Sequence, residues 1–170
     1  MKKILILSDT HGFIDERMKH HAAEADEIWH AGDIGNPVVL DELEKIKPVN
    51  AVYGNIDGQE IRKRTKEFLR FNCEGADVLI THIANRPENY KAPVKQIMQT
   101  NPPQIIVCGH SHILLVKFSE KWNCLHINPG AAGINGFHQK RTMIRMKIHN
   151  GKPTEMEVIE LGNRTAAKIT

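Results

Sequence analysis

Residues 4–7 form an unbroken Ile-Leu-Ile-Leu run with no polar alternation, the pattern of a strand covered on both faces. The run stops at Ser8, and after a Thr-His-Gly turn residues 15–25 are rich in helix formers. Residues 27–30 then read as a second short strand ending at Ala31-Gly32-Asp33, so the chain opens with a β-α-β unit. Val39, Leu40, Leu43 and Ile46 recur at helical spacing within residues 38–46, and a third strand over residues 50–53 ends at Gly54-Asn55. A charged segment follows Asp57-Gly58. Residues 68–73 alternate Leu69, Phe71 and Cys73 against Phe68, Arg70 and Asn72, which predicts a half-exposed strand.

Residues 77–81 read as another buried strand ending at His82. A helix over residues 92–99 is stopped by Asn101-Pro102-Pro103. Residues 105–108 run directly into Gly109-His110. Further strands are expected over residues 114–118, 124–127, 142–149 and 154–161, with Asn150-Gly151 as a type I′ hairpin turn. No internal repeat or linker interrupts the pattern. The expected organisation is one domain over residues 1–162 with a loose C-terminal tail over residues 163–170.

Composition narrows the class without naming a partner. A hydrophobic share of 41% and a charged share of 25% are those of an ordinary globular protein. The net charge of +3 comes from basic residues interleaved with acidic ones, so it gives no sign of a nucleic-acid surface. Cys73, Cys108 and Cys124 lie outside any CxxC spacing and read as core thiols in a reducing, cytoplasmic setting. No apolar stretch reaches the roughly 18–20 residues that a membrane span needs, so no membrane partner is expected.

The candidate chemistry lies at the strand ends. Asp9 and His11, Asp33, Asn55, His82, then His110 and His112 each follow a predicted buried strand. In open α/β sheets, ligands collect outside the carboxyl ends of the strands, so these side chains should point into one crevice. Singly, an Asp at a strand end is more often a helix cap and a lone His a satisfied polar residue. Jointly, the order Asp-x-His, Gly-Asp, Gly-Asn-x-Asp, Thr-His, Gly-His-Ser-His is far more specific.

These blocks resemble the calcineurin-like metallophosphoesterase superfamily, and the short chain is similar to its compact, YfcE-like phosphodiesterase branch. Asn128-Pro129-Gly130 extends the resemblance through the later strands. The resemblance implies an α/β fold, a four-layer α/β/β/α sandwich of two mixed β-sheets flanked by helices. It implies one metal held by Asp9, His11, Asp33 and His112 and another by Asp33, Asn55, His82 and His110, with Asp33, Asn55, His82 and Asp57 taking part in catalysis. Imidazoles, carboxylates and an amide oxygen suit two divalent transition-metal ions, with Mn preferred and Fe, Ni or Zn also suited. Two divalent ions would exceed the charge of Asp9, Asp33 and one bridging hydroxide, which leaves the open side attractive to a phosphate. Sharing of Asp33 would hold the ions about 3.5–4 Å apart, where a bridging hydroxide can attack phosphorus in line. The expected substrate is therefore a small phosphoester, and the resemblance leaves a homo-oligomer open.

One position departs from the family pattern. The third block of the wider superfamily reads Gly-Asn-His, and that His is thought to assist the leaving group; here the place is held by Ile56. Asp57 remains, to orient a ligand through a hydrogen bond. A retromer subunit shares the compact fold and uses it as an interaction scaffold, which makes a scaffold the competing expectation. Among the other histidines, His30 and His126 lie near ligand blocks and could orient them. His138, with Lys140 and Arg141, follows a Gly-rich stretch from which a loop could reach substrate. Residues 85–92 and 131–142 are the expected walls of the site.

Overall fold

The computed structural model describes residues 1–168. Its elements run β1 (Lys2–Leu7), α1 (Glu16–Ala23), β2 (Glu27–His30), α2 (Pro37–Glu44), β3 (Val49–Ala51), α3 (Gln59–Arg64), β4 (Phe68–Cys73), β5 (Ala76–Thr81), α4 (Val94–Thr100), β6 (Ile105–Val107), β7 (Leu114–Ser119), β8 (Cys124–Pro129), β9 (Lys140–His149) and β10 (Lys152–Asn163), then a 3-10 turn over Ala166–Lys168. They form two five-stranded sheets, ordered β10-β9-β1-β2-β3 and β4-β5-β6-β8-β7. Both are mixed: β1, β2 and β3 run parallel while β9 joins β1 antiparallel, and β5, β6 and β8 run parallel while β4 and β7 close the edges antiparallel.

Strand alternation builds the layers. Ile4 and Ile6 of β1 face the second sheet and pack with Trp29, Val78, Ile80, Ile105, Val107 and Ile127. Leu5 and Leu7, on the opposite face, pack with Met18 and Ala22 of α1 and Val39, Leu40 and Leu43 of α2. Leu79 and Ile106 point outward from the second sheet onto Val94 and Met98 of α4. The result is a four-layer α/β/β/α sandwich whose central strands are apolar on both faces, which is why they read as continuous hydrophobic runs. Burying each such Leu or Ile contributes about 1.5–3 kcal/mol before chain entropy is subtracted.

Local signals set most boundaries. Asp15 caps α1 by accepting a bond from the Met18 N–H at 2.9 Å, and Asn36 caps α2 ahead of Pro37. Asn150 and Gly151, both at positive φ, turn the β9–β10 hairpin. Helix α3 lies within the charged segment that showed no helical pattern; its one buried residue is Ile61, too little for a periodicity to register. The expected tail also needs correction over its described part. Asn163 still pairs with Lys140, and Arg164 anchors the chain by donating to the carbonyls of His138 and Ile134. Residues 169 and 170 of that tail lie outside the described residues.

Candidate metal centre

The carboxyl ends of β1, β2, β3, β5 and β6 open on one edge of the sandwich, and all seven ligand-type residues follow them there. Five of the seven, Asp9, His11, Asp33, His110 and His112, hold positive φ between 47° and 68°. Such backbone costs of order 1 kcal/mol or more per residue and gathers at functional sites, where it aims side chains a relaxed turn would not. Close approach also demands glycine. A Cβ on Gly54 would stand 2.0 Å from Asp33 Oδ1, and one on Gly109 would stand 2.0 Å from Ser8 Oγ and 2.6 Å from Asp9 Oδ2.

Two groups of donors result: Asp9, His11 and His112, and Asp33, His82 and His110, each with its ligand atoms mutually within 4.8 Å. In the first, His112 Nε2 lies 3.1 Å and His11 Nε2 3.9 Å from Asp9 Oδ1. In the second, His82 Nε2 lies 3.2 Å from Asp33 Oδ1. Asn55 joins the second group, its Oδ1 being 3.0 Å from His110 Nδ1. Asp33 spans both, because its other oxygen, Oδ2, lies 3.6 Å from His11 Nε2.

The hydrogen bonds around the groups leave their inner atoms free. His82 Nδ1 is 2.7 Å from the carbonyl of Ala31 and donates to it, so the neutral ring turns the Nε2 lone pair toward the carboxylates. Asp9 Oδ2 accepts from Ser8 Oγ at 2.6 Å and from the His110 N–H at 3.1 Å, while Oδ1 has no donor. Asp9 Oδ1, His11 Nε2 and His82 Nε2 are buried without a hydrogen-bond partner. Lone pairs converging in a buried space are costly unless a cation or protons intervene. Burial pushes the His82 pKa down, but Asp33 and Asp9 beside it more than reverse this and raise it. Burial likewise opposes ionisation of Asp9, yet His112, His82 and the Ser8 hydroxyl hold its pKa below the usual carboxylate range. A divalent cation satisfies the same atoms, so the donor set fits two such ions.

Several other residues take different places from those expected. The Asp57 carboxylate reaches no ligand side chain; it accepts the backbone N–H groups of Ile34 (3.1 Å), Gly35 (2.7 Å) and Gly54 (2.8 Å). It therefore ties the loop after Asp33 to the loop before Asn55, and its expected catalytic part is corrected to this positioning. Arg141 turns inward, bonded to the Ala132 carbonyl and Asp15, and Lys140 pairs with Glu160. His138 does reach the centre: its ring meets His112 edge-on at 5.2 Å while Nε2 donates to the Gly133 carbonyl. His30 bonds Thr10 and the Gly32 N–H, and so braces the turns beside Asp9 and Asp33. Sequence reasoning missed Ser8, whose position just before Asp9 was the available signal, and the bracing role of Asn128, which donates to the Gly109 carbonyl and Ser111 Oγ.

With this geometry in view, the comparisons with known proteins are specific. Residues 1–151 match the calcineurin-like phosphoesterase superfamily domain, and the chain belongs to that family. A probable metallophosphoesterase of Methanothermobacter thermautotrophicus is 25% identical over 162 residues, covering 92% of this chain and 91% of that one. Among solved structures, a phosphoesterase of E. coli, YfcE, superposes with a TM-score of 0.61 at 21% identity, covering 91% of this chain and 98% of the other. Wild-type Vps29 of Entamoeba histolytica, complexed with Zn2+, superposes with a TM-score of 0.70 at 14% identity, covering 93% and 98%. These two structures share the fold.

Proposed function

We propose that the protein is a dinuclear metal-dependent phosphodiesterase. The observation that carries this reading is Asp33, whose two carboxylate oxygens serve two separate donor groups. Asp9, His11, Asp33 and His112 would hold one ion, and Asp33, Asn55, His82 and His110 the other. Divalent cations held there would supply an acidified water and stabilisation of negative charge on the phosphoryl oxygens. The residues of this chain do the rest. Ser8 and the His110 N–H fix Asp9 so that Oδ1 faces inward, Ala31 fixes the His82 tautomer, and Asp57 holds the two loops in register. The donor set, rich in imidazole and free of thiolate, favours Mn2+ over a structural zinc. Three free buried cysteines accord with a reducing, cytoplasmic compartment.

The test is hydrolysis of bis-p-nitrophenyl phosphate by the Mn2+-loaded protein, before and after chelation. Turnover should disappear with the metal and return on its replacement, and Asp33→Asn should lower it at least about 10²-fold with loss of bound Mn2+. Stable, metal-loaded protein with no turnover would instead favour the interaction scaffold.

A further inference from the structure

Among the described residues, every exposed isoleucine directly follows a ligand-type residue: Ile56 after Asn55, Ile83 after His82 and Ile113 after His112, at 48%, 43% and 55% exposure. Leaving a large aliphatic side chain in water forgoes its burial, and doing so around one polar centre marks a contact surface. Two of the three line a cleft that borders the centre at His110. The cleft has a volume of about 590 Å3, and His110 and Ser111 of the ligand loop share its wall with Ile83, Ile113, Leu115 and Arg86. A phosphate alone needs far less space, whereas pockets for small organic ligands span roughly 300–1,000 Å3.

Charge further defines the occupant. Lys117, also in the wall, is neutralised by Glu88. Arg86 forms no salt bridge among the described residues and feels Glu88 only at longer range, so its guanidinium is available to an anion. Resting on the phosphodiesterase reading, we infer that this cleft is the subsite for one substituent of the phosphoester, an apolar, aromatic-sized arm carrying an anionic group toward Arg86. The phosphoryl group lies at the metal centre, Ile83 and Ile113 cover the arm, and Arg86 meets the anionic group.

Phosphonates test this without hydrolysis and without ambiguity about which arm leaves. Calorimetric titration of the Mn2+-loaded protein should show phenylphosphonate binding about 10-fold or more tighter than methylphosphonate. In Ile83→Asn and Ile113→Asn, both exposed positions that tolerate polarity, this ratio should fall to about 3-fold or less. A para-carboxylate on the phenyl ring should add about 3–10-fold, and Arg86→Gln should remove that gain. Equal binding of methyl- and phenylphosphonate, or a ratio unmoved by both isoleucine changes, overturns the subsite while leaving the metal centre standing. A carboxylate gain that is absent, or that survives Arg86→Gln, overturns the role of Arg86. If neither phosphonate binds the metal-loaded protein, the phosphodiesterase reading falls and the subsite with it.

Discussion

Ile56 stands where, by the resemblance, the wider superfamily carries a histidine that the compact branch lacks, and its side chain has no proton to give. It is half in solvent beside Asn55, and only its backbone takes part in the centre, donating to Asp33 Oδ1 at 3.2 Å. General acid help is worth about 10²–10⁴-fold for a poor leaving group and little for a stable anion. Aryl phosphodiesters should therefore be cleaved at least about 10²-fold faster than alkyl ones, and Ile56→His should narrow that gap by accelerating the alkyl esters selectively. Equal rates for both classes in the wild-type protein at saturating Mn2+ would refute the argument. The seven ligand-type residues stood out by their joint spacing after strands that hydrophobic runs announce, whereas Ile56 stood out only against the pattern of the family the chain resembles. The use of Asp57 was not, since a carboxylate that binds three backbone N–H groups looks in sequence like one that binds a ligand.

The loops after β2 and β3 are held together by that same carboxylate. Its three acceptor contacts, at 2.7–3.1 Å, satisfy N–H groups on both sides of the gap, and Arg62 donates back to the Asp57 carbonyl at 2.6 Å. Asp57→Asn replaces an acceptor oxygen by a competing donor, and should cost about 2–4 kcal/mol in urea unfolding. Mn2+ affinity should fall about 10–100-fold in calorimetry, because Asp33 and Asn55 lose their relative position. Unchanged stability with unchanged metal binding would show that the clamp is dispensable. The elements themselves were readable where apolar residues recur, as in β1, β2, β4 and α2. They were obscure where one residue anchors a turn, as Ile61 does for α3, or where pairing extends a strand beyond its apolar stretch, as at Asn163 of β10.

Stability of the whole molecule should carry the mark of two buried imidazoles. Burial pushes both His30 and His126 down to about 4; His126 lies against the Tyr90 hydroxyl at 2.8 Å. A histidine in the unfolded chain binds its proton near pH 6.5, so between that value and about 4 the unfolded state holds more protons, and stability falls as pH falls. Comparing the wild-type protein with His126→Gln isolates one site. Between pH 7 and 4.5 the unfolding free energy should shift toward the variant by about 2–3 kcal/mol, and parallel pH profiles would contradict this. The four-layer sandwich was implied by the family resemblance, while the apolar runs showed only that the central strands are covered on both faces. The sequence by itself determined which residues stand at the strand ends and in what order, because periodicity and turn chemistry are local. Only the tertiary structure decided that Asp33 divides its oxygens between two donor groups, that Arg141 is buried away from the centre, and that Ile83 and Ile113 share a cleft. Those facts arise where separate loops and the two sheets meet, at distances along the chain that no local pattern can report.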